Sequence, residues 1–295
     1  MRSPETATAP SLMTRRSASM VTTVPSELRI EPGAERRTTF SERGAVVIPG
    51  LLDDGWCERL HAAIERCQAS PSQFYGVLSP PGELKVDSDL FRWFDDPDIA
   101  EVTHSSPLPA LGAELCGAGA AVLIEDQWFC SEPGAVSRSP WHQDHPYYNL
   151  DRPFATVWVT LDDVAADAAL RVVEGSHDTG ITYAPIEFSS SISTIGGASE
   201  LEPVPEVDAD PESFPVTTWD LKAGDAVAID SRMLHSTGVR EVADRPFRRL
   251  STRYAHPDTR YLDLGEQAAM FWRMLPHGLS TGDLVAGEVF PLIEP

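Results

Sequence analysis

The sequence predicts a mainly β domain with flanking helices, arranged as a double-stranded β-helix, the jelly-roll or cupin-like barrel. Three observations predict it. Helical spacing is confined to the stretch from Asp53 to Cys116. Beyond Ala120 the chain turns to short apolar runs of strand length, separated by Gly, Pro and Ser clusters. The length, 295 residues, suits one such barrel with additions, and no internal repeat, heptad pattern or second domain boundary interrupts it.

Residues 1–36 are rich in Ser, Thr, Pro and Ala and carry no periodicity, so they read as a mobile tail ahead of a single domain, 37–295. No apolar core follows Arg15-Arg16, which argues against a secretory signal and for a cytoplasmic protein. Gly44–Leu52 reads as a buried strand ended by Pro49-Gly50. Asp53 or Asp54 caps the next helix, whose Trp56, Leu60, Ala63, Ile64 and Cys67 form one apolar stripe. Residues 70–95 read as irregular, crowded by Phe74, Tyr75, Phe91, Trp93 and Phe94. Two short helices are expected at 97–104 and 107–116. Strands follow at 120–130, 155–161, 170–173, 225–230 and 249–254. In the second of these Ala155, Val157, Val159 and Leu161 share a face. Residues 178–220 lack periodicity and are expected to form a lid or insertion.

Apolar and charged fractions, 42% and 23%, are those of an ordinary globule. The net charge of −22 opposes nucleic acid and anionic membranes as partners and leaves a small-molecule substrate. It also disfavours an anionic acyl-CoA. No apolar run approaches a membrane span. Cys57, Cys67, Cys116 and Cys130 form no Cys-x-x-Cys pair and read as reduced thiols. Nothing in the sequence assigns an oligomeric state.

The chemistry sits in two places. His142 and Asp144 stand two apart in Trp141-His142-Gln143-Asp144-His145-Pro146-Tyr147-Tyr148, and on an extended strand such residues point to one side. Far downstream His235 follows the strand-like run Asp225–Asp230. His-x-Asp with a distal His is the ligand set of a facial triad, which holds Fe(II) and keeps one side open for cosubstrate and oxygen. The spacing alone favours a structural role over a metal site.

The surrounding text adds to it. Asp126-Gln127-Trp128-Phe129, Glu132-Pro133-Gly134, His142-Gln143-Asp144, Leu170–His177, Gly224-Asp225 and Arg248–Tyr254 occur in that order. Over residues 38–262 this series resembles the phytanoyl-CoA dioxygenase family of Fe(II)/2-oxoglutarate oxygenases. The resemblance implies the barrel fold, Fe(II) on His142, Asp144 and His235, and 2-oxoglutarate and O2 as cosubstrates. It implies oxidative decarboxylation to succinate and carbon dioxide, coupled to hydrogen removal from a substrate C–H bond. Related halogenases lack the carboxylate, so Asp144 favours oxygenation. His177 is structural in the family pattern.

A carboxylate anchor for 2-oxoglutarate is expected on the strand after the distal His, where Arg245, Arg248, Arg249 and Arg253 compete. If Leu250, Thr252 and Tyr254 share one face, Arg249, Ser251 and Arg253 share the other. Arg249 is preferred, with Arg248 second, and Gln127 and Ser139 are further cosubstrate contacts. Tyr147, Tyr148, His145 and Trp158 are candidates for substrate contact, and Trp141 for bracing the ligand segment. Two departures from the family pattern stand out: Ser131 where a Lys is common, and Asp167-Ala168 in place of Asn-Gly. The function expected is hydroxylation of a small organic metabolite, with specialised metabolism as one setting for it. A barrel enzyme without 2-oxoglutarate and a non-catalytic binding barrel are the alternatives.

Overall fold

Eleven strands and five helices order the residues described in this computed structural model, which are 33–136, 139–188, 200–238, 244–265 and 270–295. In chain order these are α1 (Ala34–Arg43), β1 (Ala45–Ile48), α2 (Asp54–Ala69), β2 (Gly76–Val77), β3 (Val86–Leu90), α3 (Pro97–Ser105), α4 (Pro107–Cys116) and β4 (Ala121–Ser131). They continue with β5 (Ala155–Thr160), β6 (Leu170–Val173), β7 (Val216–Thr218), β8 (Ala226–Asp230), β9 (His235–Thr237), β10 (Phe247–Ala255), α5 (Met270–Met274) and β11 (Leu292–Ile293). One antiparallel sheet runs β1-β8-β5-β10-β4-β3-β2, with β11 also on β4, and a second runs β7-β6-β9. The two layers are the walls of the expected barrel.

Alternation along the large sheet decides what faces the helices. Ala155, Val157 and Val159 on β5, Leu250 and Tyr254 on β10, and Trp128 and Cys130 on β4 join Leu60, Ile64 and Cys67 of α2 in one core. Burying each large aliphatic there contributes roughly 1.5–3 kcal/mol. Intervening residues of the same strands point the other way, into the barrel. Asp53 is the cap of α2, its carboxylate accepting from the Trp56 amide at 3.0 Å. Gly224 packs so closely that a Cβ there would lie 2.0 Å from the Leu52 carbonyl.

The structure departs from the sequence reading at four places. Helix α1 begins at Ala34, inside the segment read as a tail, and Arg36 is buried against Glu114 at 3.1 Å. Residues 1–32 lie outside the described residues. Within 70–95, Val86–Leu90 is a buried strand paired with β4. Its Asp87 and Asp89 hide the apolar pattern, and they are satisfied by Gln68, Tyr75, Lys85, Ser72 and Arg92. The segment 178–220 is no uniform insertion: Val216–Thr218 pairs with β6 and Val207 is buried beside Trp141, while 189–199 lie outside the described residues. Asp144 has helical φ/ψ (−72°, −40°) at the start of the 3-10 turn His145–Tyr147, so a bend, and no extended strand, turns it toward His142.

Candidate metal centre

His142 and His235 face each other across an isolated antiparallel bridge, each amide donating to the other's carbonyl at 3.0 and 2.9 Å. Directly opposed residues project to one side of a ladder, and the two ring centroids lie 4.0 Å apart. Each Nδ1 sits 2.9 Å from a backbone carbonyl two residues earlier, that of Pro140 or Met233. A carbonyl can only accept, so Nδ1 carries the proton and each Nε2 keeps its lone pair. Asp144 Oδ1 lies 3.7 Å from both Nε2 atoms, and the three donor atoms fall within 4.8 Å of one another. The remaining oxygen, Oδ2, accepts from Thr156 Oγ1 at 2.7 Å and from Arg253 Nε at 3.2 Å.

Electrostatics put each donor in its metal-binding form. Burial, and next the facing His235, pushes the His142 imidazole down to about 3. Burial likewise lowers His235. For Asp144, burial opposes ionisation. The charge of Arg253, with the hydrogen bond from Thr156, outweighs it and holds the carboxyl well below the usual range. Two neutral imidazoles and one carboxylate, aimed at a common point from buried positions, fit Fe(II).

These groups open onto a cavity of about 670 Å³. One wall is built from alternate residues of neighbouring strands: Glu125, Gln127 and Phe129 on β4, Thr156 and Trp158 on β5, and Arg249, Ser251 and Arg253 on β10. Arg249 is buried between the rings of Phe129 and Phe247, 5.2 and 4.9 Å from their centroids, and donates to Ser131 Oγ at 2.9 Å. Burial pushes its guanidinium down to about 10. A cation so penalised is stabilised by any carboxylate brought beside it. Ser131 thus holds the arginine itself. Gln127 Nε2 donates to Ser88, and its Oε1 accepts from Arg253 at 3.4 Å. Ser139 lines the cavity, but its hydroxyl accepts from the Thr237 amide at 2.9 Å and so clasps the ligand segment to β9.

Tyr147, Tyr148 and Trp158 line the cavity as well. Tyr147 Oη donates to the Ile186 carbonyl and accepts from its amide, both at 2.7 Å, and Phe188 stands edge-on to the His142 ring, centroids 4.5 Å apart. Tyr148 Oη donates to Glu125 at 2.7 Å. Trp141 braces the segment from outside, its indole donating to Asp208 with Arg171 over the ring.

Two expected site residues lie elsewhere. Arg248 is on the opposite face of β10, near Glu65 at 3.4 Å and Asp162 at 3.8 Å, because strand alternation separates it from Arg249. His145 does not line the cavity. The turn at Asp144 swings it behind the ligands toward Phe154, with its amide on the Ser231 carbonyl. Arg245 is exposed, and His177 bonds the Ser41 carbonyl at 3.1 Å, away from the donors. Sequence reasoning weighed Arg253 only as a cosubstrate anchor and missed Glu125 and Thr156. Each of the two missed residues is two positions from one it singled out, Gln127 and Trp158, so period-two alternation was the available signal.

The sequence profile of the phytanoyl-CoA dioxygenase (PhyH) family matches residues 40–241. The chain belongs to that family. It is accordingly an Fe(II)/2-oxoglutarate-dependent oxygenase, with iron, 2-oxoglutarate and O2 as its cofactor and cosubstrates. Solved structures share the fold. The α-ketoglutarate-dependent carbocyclase SnoK from nogalamycin biosynthesis is 22% identical, with 89% of this chain and 96% of that one covered at a TM-score of 0.69. The epimerase SnoN, crystallised with Fe3+, α-ketoglutarate and nogalamycin RO, is 20% identical, covering 87% and 96% at 0.68. EctD from S. alaskensis in its apoform is 16% identical, covering 81% and 84% at 0.62. No curated protein matches the sequence. Among the described residues no helix is long and apolar enough to cross a membrane.

Proposed function

We propose that this PhyH-family enzyme hydroxylates a C–H bond of a neutral, largely apolar small molecule, with His142, Asp144 and His235 holding the iron. Arg249 anchors the distal carboxylate of 2-oxoglutarate in this reading, and Trp158 and Thr237 line the same cavity. Iron and 2-oxoglutarate, when bound with O2, supply the oxidising power by oxidative decarboxylation to succinate and carbon dioxide. The chain's own residues set which substrate hydrogen is presented. Tyr147 and Phe188 close the side next to His142. Phe74, Leu78, Val86 and Leu90 offer an apolar surface on the cavity wall.

The observation that carries the substrate class is the fate of the cations. Among the described lining residues, the arginines are Arg249 and Arg253, with no lysine, and Glu83 adds a negative charge. Arg253 already faces Asp144 and Glu125, at 3.2 and 2.7 Å. With Arg249 given to the cosubstrate, no further cation among the described lining residues is left for a thioester's phosphates, which agrees with the net charge of −22. A cavity of about 670 Å³ has room for a cosubstrate and an amphipathic molecule of drug-like size. We infer a place in specialised metabolism, supported by the likeness to two enzymes of nogalamycin biosynthesis.

The test is a screen for substrate-dependent succinate formation with purified enzyme, Fe(II), 2-oxoglutarate and O2. Neutral polycyclic and polyketide-like compounds are expected to stimulate turnover with a mass gain of one oxygen, and acyl-CoA thioesters to leave it at background. Efficient turnover of acyl-CoA would contradict the substrate class.

A further inference from the structure

We propose that Arg253 is a positioning residue that makes Asp144 a single-oxygen metal ligand, and that Glu125 holds Arg253 for the purpose. The proposal rests on the reading of His142, Asp144 and His235 as the iron ligands.

Arg253 is buried on β10, 7% exposed, with its guanidinium on the cavity wall. Its Nε donates to Asp144 Oδ2 at 3.2 Å, and its Nη1 donates to Glu125 Oε1 at 2.7 Å and Gln127 Oε1 at 3.4 Å. Tyr148 presents its ring beneath the guanidinium, 5.6 Å from the centroid, and donates its hydroxyl to the same Glu125 oxygen. The guanidinium is thus held from three sides and cannot swing away from Asp144 without breaking charged contacts in a buried place. Thr156 Oγ1 reaches Oδ2 from the other direction at 2.7 Å. Both lone-pair directions of Oδ2 are then occupied, one by a cation. Only Oδ1 faces the two Nε2 atoms.

The consequence is chemical. A carboxylate that binds through both oxygens takes a coordination position that a chelating 2-oxo acid or O2 needs. Pinning Oδ2 keeps that position open. It also offsets the burial cost of the carboxylate. Glu125 balances Arg253, which otherwise would be a net cation beside a cationic metal. Outer partners of metal ligands typically matter by ~10–100-fold in metal affinity.

The experiment measures Fe(II) affinity anaerobically, by competition with a chromophoric chelator, and the visible charge-transfer band that forms on adding 2-oxoglutarate. Wild type, Arg253→Met, Arg253→Lys, Thr156→Val and His235→Ala are compared. Arg253→Met is expected to bind Fe(II) ~10–100-fold more weakly and to shift the band, with Arg253→Lys restoring part of both. Thr156→Val is expected to move both readouts in the same direction by less. Wild-type affinity and an unshifted band in Arg253→Met overturn the proposal. Should that variant not fold, unchanged affinity and band in both Arg253→Lys and Thr156→Val overturn it equally. If instead His235→Ala binds Fe(II) as tightly as wild type, the ligand assignment fails, and the role of Arg253 with it.

Discussion

Replacing Arg249 by Met separates a cosubstrate anchor from a structural cation, because the two roles predict opposite signs. Burial pushes the guanidinium from an ordinary 12.5 to about 10, and each tenfold is 1.36 kcal/mol, so the ionised side chain carries a burial cost of about 3 kcal/mol. Methionine fills similar space between Phe129 and Phe247 without that cost. Against it stands the loss of the bonds to Ser131 Oγ and the Phe247 carbonyl and of the contacts with both rings, ~2–3 kcal/mol together. The variant without 2-oxoglutarate should therefore be as stable as wild type or more stable. Binding of 2-oxoglutarate should suffer instead: two parallel bonds to a carboxylate, each worth ~1.5 kcal/mol or more, amount to a loss of ~10²-fold or greater in Kd. The assay is anaerobic thermal unfolding with Fe(II), with and without saturating 2-oxoglutarate. Wild type should gain ~2.7 kcal/mol at a hundredfold excess over Kd, and Arg249→Met should gain almost nothing. A variant destabilised by 3 kcal/mol or more that still responds fully to 2-oxoglutarate would refute the reasoning.

Three further outcomes follow from other parts of the fold. Burial, against the Trp93 and Arg92 amides, raises the Asp126 carboxyl to about 7. The folded protein then holds more protons than the unfolded chain between the ordinary carboxylate range and pH ~7, so stability falls as pH rises through that window, by at most ~4 kcal/mol. Asp126→Asn should flatten this slope in denaturant unfolding across pH, whatever its effect at a single pH. Gly224→Ala places a Cβ 2.0 Å from the Leu52 carbonyl at a φ of +87°, and should lose ~2–5 kcal/mol in the same measurement. Tyr147→Phe removes both bonds to Ile186, and should raise the rate of proteolysis within 181–188 severalfold while changing global stability by ~1 kcal/mol.

Much of the barrel was legible because alternation and burial agree in its central strands. Ala155, Val157 and Val159 are apolar every second residue and reach the helix-side core together. The face shared by Arg249, Ser251 and Arg253 was legible on the same ground. What hid the rest is polar burial. Strand β3 carries Asp87 and Asp89 at zero exposure, satisfied by partners from α2 and the following loop that no local pattern announces. Strand β9 is three residues long and is defined by its pairing with β6 and the bridge to His142, both distant in sequence. The meeting of His142, Asp144 and His235 was legible as a spacing, but the bend at Asp144 was not, and the same bend takes His145 out of the cavity. Glu125 reads locally as a solvated charge. Only the β4–β10 register, which sets it opposite Arg253, makes it part of the site.

That His142, Asp144 and His235 hold Fe(II) for 2-oxoglutarate chelation is open to a direct test. The direct measurement is the anaerobic visible spectrum of the apoprotein titrated with Fe(II) and then 2-oxoglutarate. A weak charge-transfer band that forms in wild type and is absent in His235→Ala is the predicted result. Iron binding without such a band, or a band that survives His235→Ala unchanged, would contradict it.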